Sequence, residues 1–225
     1  MKYFLLAIFI FCFASLNAQD NQKYININGT SELILPADQI NFTVQIKIID
    51  DSIEESKRTN DKFLNELMSI LKDIGINSND IEASPITLGK NYENDINRVR
   101  IQKGFFTEVK VNFLLKNLSK YFELTNKISS SNYFEILNSS YNVSDYEQQH
   151  KLAYEKALNA AKDKAEYMTK TLGVKLGEVL EIDENNYWQS YANPFNTVTQ
   201  VNSQDGSISG KVIISRSVRV KFAIN

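Results

Sequence analysis

Ile40, Phe42, Val44, Ile46 and Ile48 alternate with Asn41, Thr43, Gln45 and Lys47. Successive side chains on a strand point to opposite faces, so this pattern specifies a half-buried strand with one wet face. The same signature returns later, where Thr107, Val109, Val111, Phe113 and Leu115 alternate with Glu108, Lys110 and Asn112. A sheet with one face covered and one in water is the antiparallel kind, and the remaining elements must be fitted around it.

An earlier strand is predicted over 24–35, where Ile25, Ile27, Leu33 and Leu35 share one phase and Gly29 interrupts it as a candidate bulge. Pro36-Ala37-Asp38 reads as a turn, so the first two strands are expected to form a hairpin. Ser52 and Glu55 match a capping box at the start of a helix whose apolar stripe is Phe63, Leu67, Ile70, Leu71 and Ile74. Gly75 follows as a left-handed stop. Residues 81–92 read as one strand, with Pro85 at an edge or bulge. Residues 91–97 read as a polar turn, and 98–115 as a long extended segment bent near Gly104; together they suggest a long hairpin.

A shorter helix is predicted over 118–129 and a strand over 134–143. Ser144 and Glu147 form a second capping box, opening the longest helix, which should end near Leu172 before Gly173. Its inward stripe is read as Ala153, Ala157, Ala160, Ala161, Met168 and Leu172. Strands follow over 176–182 and 212–224, separated by a polar stretch at 185–210 that carries Tyr187, Trp188, Tyr191, Pro194 and Phe195. A connection this long is functional or mobile. The fold class is α+β: mainly antiparallel sheets with one long, one medium and one short helix, in the order ββα-ββ then α-β-α-ββ. The two halves hint at subdomains, but no linker divides them, so residues 19–225 are taken as one unit.

Hydrophobic residues make up 43% and charged residues 23% of the 225-residue chain, as in ordinary globular proteins. A net charge of −2 lacks the basic footprint of a general nucleic-acid binder. Lys2, the apolar run 3–13 and the small residues Ala14, Ser15 and Ala18 form a signal-peptide pattern, with cleavage expected after Ala18. Cys12 is no lipidation site, because the bulky Ile10 and Phe11 precede it. Removal of 1–18 leaves no cysteine, hence no disulfide, and no later apolar run is long enough to span a bilayer. The expected location is the periplasm, free or associated with the outer membrane. Five Asn-x-Ser/Thr triplets, starting at Asn28, Asn41, Asn117, Asn138 and Asn142, carry little weight in so Asn-rich a chain.

No constellation argues for catalysis, a cofactor or a metal. His150 is the only histidine, placed among Gln148, Gln149 and Lys151 near the start of the long helix, where a surface role is expected. Asp50, Asp51, Glu54 and Glu55 cluster at a helix start; such a cluster is of the kind that binds cations or does acid–base chemistry, but capping and favourable charge at the positive helix end account for it. Asp183-Glu184 reads as a turn. The aromatic segment 187–195 is either a contact surface or folded back on its own sheet.

The ordered features resemble the SIMPL domain family, which includes the periplasmic immunogenic protein and the oxidative-stress defence proteins of bacteria. The residues that carry the likeness begin with Gly29-Thr30-Ser31-Glu32-Leu33 and Pro36-Ala37-Asp38-Gln39-Ile40. Asn60, Leu67, Leu71, Gly75-Ile76 and Asp80-Ile81 follow. Next come Lys156-Ala157, Ala160-Ala161, Lys164-Ala165, Leu172-Gly173-Val174 and Leu176-Gly177, and the closing strand 212–222. Ser31 stands where the family often has a second glycine, and Ile40 where it often has alanine. The likeness spans 24–224. It implies an envelope protein without a recognised catalytic motif, a homo-oligomer of the ring-like kind formed by at least one relative, and a link to oxidative-stress tolerance. The expected role is therefore non-enzymatic, through self-association or contacts with envelope proteins or cell wall. A small-ligand or protein binding module using the 185–210 loop is the alternative, and a hydrolase built on acids around His150 is the third reading.

Overall fold

The computed structural model describes residues 22–184, 200–202 and 207–225. The expected signal peptide at 1–18 and the aromatic segment 187–195 lie outside the described residues. In chain order the elements are β1 (Tyr24–Pro36), β2 (Gln39–Asp50), α1 (Ile53–Ile74), β3 (Ile81–Ala83), β4 (Thr87–Asn94), β5 (Arg100–Leu115), α2 (Tyr121–Ser129), β6 (Phe134–Asn142), α3 (Tyr146–Thr171), β7 (Leu176–Glu184), β8 (Gln200–Asn202), β9 (Ser207–Ser209) and β10 (Lys211–Ile224). The fold is α+β with mainly antiparallel pairing. The described residues cluster into two compact units, whose boundaries fall inside β1, α3 and β10. Among the described residues, the boundaries fall within regular elements rather than in a linker.

The larger unit holds 32–153 and the described part of 188–215. Its five-stranded sheet has the order β3-β5-β2-β6, with β4 also paired to β5. β2 and β5 run antiparallel from Ile40 opposite Leu115 to Asp50 opposite Phe105. The alternation seen in the sequence therefore becomes one buried face: Phe42, Val44, Ile46, Val109, Val111 and Phe113 pack with Leu67, Leu71 and Ile74 of α1 and Leu124 and Ile128 of α2. Phe42 and Phe113 stack with ring centroids 5.2 Å apart. Gly75, at φ 93°, closes α1: its N–H donates to Lys72 and that of Ile76 to Leu71. The short strands β8 and β9 pair antiparallel, so the 185–210 stretch is not loop throughout, and Ile208 enters the core.

Three expectations in this unit need correction. β1 and β2 do not form a hairpin: β1 pairs with β10, while β2 lies between β5 and β6. The turn residues are held elsewhere, with Ala37 N–H donating to Gly210 O at 2.9 Å and Asp38 N–H to Asn142 O at 3.2 Å. Alternation identifies a strand but not its partner. Residues 81–92 are two strands, β3 and β4, parted at Ser84-Pro85-Ile86. Pro85 has no N–H to continue the ladder. Ser84 bridges the gap: its N–H donates to Lys110 O, and its hydroxyl accepts the Lys110 N–H at 3.0 Å. The Ser144–Glu147 capping box is also displaced: the Ser144 hydroxyl and N–H both donate to the Asp38 carboxylate, at 2.6 and 2.9 Å, and α3 begins at Tyr146.

The smaller unit holds the described residues up to 31, then 154–184 and 216–225. β10 lies between β1 and β7, and pairs antiparallel with β7 from Val218 opposite Glu184 to Ile224 opposite Leu176. One face of α3 meets this sheet through Ala157, Ala161 and Ala165, which pack with Ile27, Val218, Val220 and Phe222. The helix sits so close that a Cβ on Gly29 would collide with Ala157 O and stand 2.6 Å from Ala161 N. Gly29 thus keeps the inward phase of β1, and helix proximity is what requires it. The stripe of α3 is spaced by four residues and ends on Ala165 and the buried Thr169, whose hydroxyl donates to Ala165 O at 2.8 Å. Leu172, read as inward, is 72% exposed, because it lies past the last residue of α3, Thr171, in the turn before Gly173, where helical phase no longer sets its direction.

Candidate functional site

The acids at the start of α1 are the first place to test for chemistry. Asp50 ends β2 and Ser52 caps the helix from an extended conformation. Asp50 Oδ1 accepts the Ser52 N–H at 3.1 Å, and Ser52 Oγ accepts the Glu55 N–H at 3.4 Å. The Ser52 hydroxyl proton goes to Glu54 Oε2 at 2.9 Å. Glu55 pairs with Arg58 on the helix surface. Only half of the reciprocal capping box is formed, since Asp50 has taken the N–H that Glu55 was expected to bind. The backbone N–H of Glu54 and then the Ser52 hydroxyl hold the Glu54 carboxyl below its ordinary value. These groups stabilise negative charge at the positive end of a helix, and Glu54 is held there in its charged form.

His150 is half-buried rather than fully exposed, and its ring lies 5.9 Å from that of Tyr146, one helical turn back. The aromatic neighbour, at four residues' separation on one helix face, shields it. Asp183 and Glu184 are not a turn: they are the last residues of β7, opposite Arg219 and Val218. Among the described residues, no group of three or more His, Cys, Asp and Glu side chains is placed to hold a metal ion.

Sequence reasoning missed a buried polar trio beneath α1. Ser56, Asn60 and Thr107 are fully buried. Ser56 Oγ lies 3.0 Å from Ile48 O and 2.9 Å from Thr107 Oγ1, and the Thr107 hydroxyl reaches Ser56 O at 3.1 Å. Asn60 Nδ2 donates to Ile46 O at 3.2 Å and to Thr107 O at 3.3 Å, while its Oδ1 has no hydrogen-bond partner. The trio ties helix to sheet at the point where β2 and β5 run side by side. All three groups are neutral and directed at backbone carbonyls, which suits positioning rather than proton transfer. The available signal was the four-residue spacing of Ser56 and Asn60, which places both on the inward side of α1 beside Phe63 and Leu67.

The end strands of the two larger sheets, among the described residues, offer a different kind of site. β6 ends the five-stranded sheet, and Ile136 and Leu137 on it are 37% and 43% exposed. β6 contains neither Lys nor Pro, the usual guards of an edge. β7 ends the three-stranded sheet with Val179 and Ile182 exposed, but it carries Glu178, Glu181, Asp183 and Glu184. Among the described residues, no helix is long and apolar enough to cross a membrane. In comparisons with known proteins, the family SIMPL (protein of unknown function, DUF541) matches residues 25–222. No curated protein matches the chain.

Proposed function

The chain belongs to the SIMPL family, and from that premise we propose that it is an exported, non-enzymatic envelope protein acting through self-association or envelope contacts. The observation that carries the reading is the place of β6 among the described residues: a nine-residue strand at the end of the five-stranded sheet, with Ile136 and Leu137 exposed and Glu135 as its one charged residue. An edge of this kind is a template for another strand. The acids at the start of α1 support a non-enzymatic role, since Asp50 and Glu54 are engaged in holding the helix start. Export rests on the sequence pattern at 1–18, and the location is the periplasm or its membrane surfaces. A link to stress tolerance rests on the family likeness alone.

Light scattering coupled to size exclusion tests the assembly. The purified protein is expected above monomer mass at micromolar concentration, and Leu137→Lys is expected to shift it toward monomer. A strict monomer across that range removes self-association. Export is tested separately by sequencing the amino terminus of protein recovered from the periplasm; a start at Met1 in the cytosol removes that part.

A further inference from the structure

The register between β2 and β5 ends at Asp50 opposite Phe105, but β5 starts five residues earlier, at Arg100. There, among the described residues, it pairs with β4 alone, through Tyr92–Gln102, Glu93–Ile101 and Asn94–Arg100. Gly104, at φ 83°, marks the departure; a Cβ there would strike the Asp50 carbonyl. A two-stranded ribbon therefore runs on past the end of β2. Such a ribbon is marginally stable alone and gains from a surface to lie on.

Its tip is tightly built. Asp95 Oδ1 accepts the N–H groups of Asn97 and Val99, both at 2.8 Å, while Asp95 N–H donates to Val99 O and Arg98 N–H to Asp95 O, both at 2.9 Å. This is a three-residue hairpin loop with its last residue, Arg98, left-handed at φ 62°. Glycine is the usual occupant of that position, so an arginine there bears conformational strain. The loop holds out Ile96, which is 98% exposed, beside Val99 at 56%. Tyr92 is also exposed, and the Arg100 guanidinium stacks 4.3 Å from its ring. Lys90, Arg98, Arg100 and Lys103 outnumber Glu93 and Asp95, in a chain whose net charge is −2.

The geometry points to a membrane-surface anchor: the β4–β5 ribbon docks on a bilayer bearing anionic phospholipid headgroups, with Ile96 and Val99 entering between them. The argument is charge complementarity around an apolar point. Basic side chains bind the phosphates, Tyr92 supplies an amphipathic ring suited to headgroup depth, and an aliphatic tip with no fold role enters the apolar layer. The inference rests on the exported reading, which brings the chain to such a surface, but not on self-association.

Co-sedimentation of the purified protein with lipid vesicles tests it. Mixed phosphatidylcholine–phosphatidylglycerol vesicles are expected to capture the protein and pure phosphatidylcholine vesicles are not. Ile96→Asp, at an exposed position, is expected to lower capture at least about tenfold. Arg98→Gly relieves the backbone while removing one charge, and is expected to lower capture about fivefold with thermal stability kept or raised. Equal capture by both vesicle types, or capture unaffected by Ile96→Asp, overturns the proposal. So does a loss of oligomer mass on Ile96→Asp without loss of vesicle binding, which would make the ribbon a contact for a second copy. Failure of the vesicle arm leaves the light-scattering result on the wild-type protein standing, so the two readings fail separately.

Discussion

In the larger unit α1 and α2 meet their sheet through Leu67, Leu71, Leu124 and Ile128 set against Phe42, Val44, Ile46, Val109 and Val111. In the smaller unit α3 meets its sheet through Ala157, Ala161 and Ala165, over Gly29. The first interface gains its stability from large side chains taken out of water. The second gains it from close approach of backbones, which small residues permit. The two cores should therefore break in opposite directions, the first when a side chain is shortened and the second when one is lengthened.

The largest effect is expected from Phe42→Ala, which leaves a cavity beside Phe113 and Tyr121. A loss of about 3–5 kcal/mol is expected in denaturant unfolding. If the loss is under about 1 kcal/mol, the larger core is not held by bulk. Gly29→Ala adds one methyl group against the Ala157–Ala161 backbone and is expected to cost about 1–3 kcal/mol. Hydrogen exchange should show the loosening in 154–171 and 216–224. A neutral or stabilising result would mean that the helix can retreat from the sheet at no cost, and the contrast between the cores would fail.

The polar trio sharpens the comparison, because it is where the larger unit departs from a purely apolar interface. Asn60→Ala leaves the carbonyls of Ile46 and Thr107 without their side-chain donor, at a cost of about 1–3 kcal/mol. Asn60→Asp is expected to cost more at neutral pH, since it sets a buried carboxylate against those two oxygens, and to recover in part as acid protonates it. Equal losses for both variants at every pH would show that the site is wet.

The smallest effects belong to the start of α1. Ser52→Ala removes the acceptor for the Glu55 N–H and is expected to cost about 1 kcal/mol. The Glu54 carboxyl is held below its ordinary value in the folded chain. Its contribution is therefore present above the unfolded-state pKa and is lost as pH falls through the lower folded value. Glu54→Gln should lower stability slightly at neutral pH, with the difference from wild type shrinking as pH falls, so that the acid limb of the profile is slightly flatter. An unaltered acid limb would remove the Ser52–Glu54 bond from the account.

The helices and strands were legible because their signals are local. The stripe of α1, the left-handed stops at Gly75 and Gly173 and the alternation of β2 and β5 each involve residues within a turn or a few strand positions of one another. Leu172 misled because the helical phase that places it beside Ala165 holds only as far as Thr171, where α3 ends. The place of β6 at the end of its sheet among the described residues, and the ribbon beyond Asp50, had no such local sign. Each exists only relative to where a neighbouring strand stops.

The sequence by itself determined the α+β class, the ends of α1, the inward faces of the strands and the family, because these follow from periodicity, capping chemistry and ordered short motifs. Only the tertiary structure decided that β1 leaves β2 for β10, that Gly29 faces a helix, and that Asp38 takes Ser144 from its expected cap. Partner choice depends on which surfaces meet after the chain has folded back over scores of residues, and no periodicity along the chain encodes that.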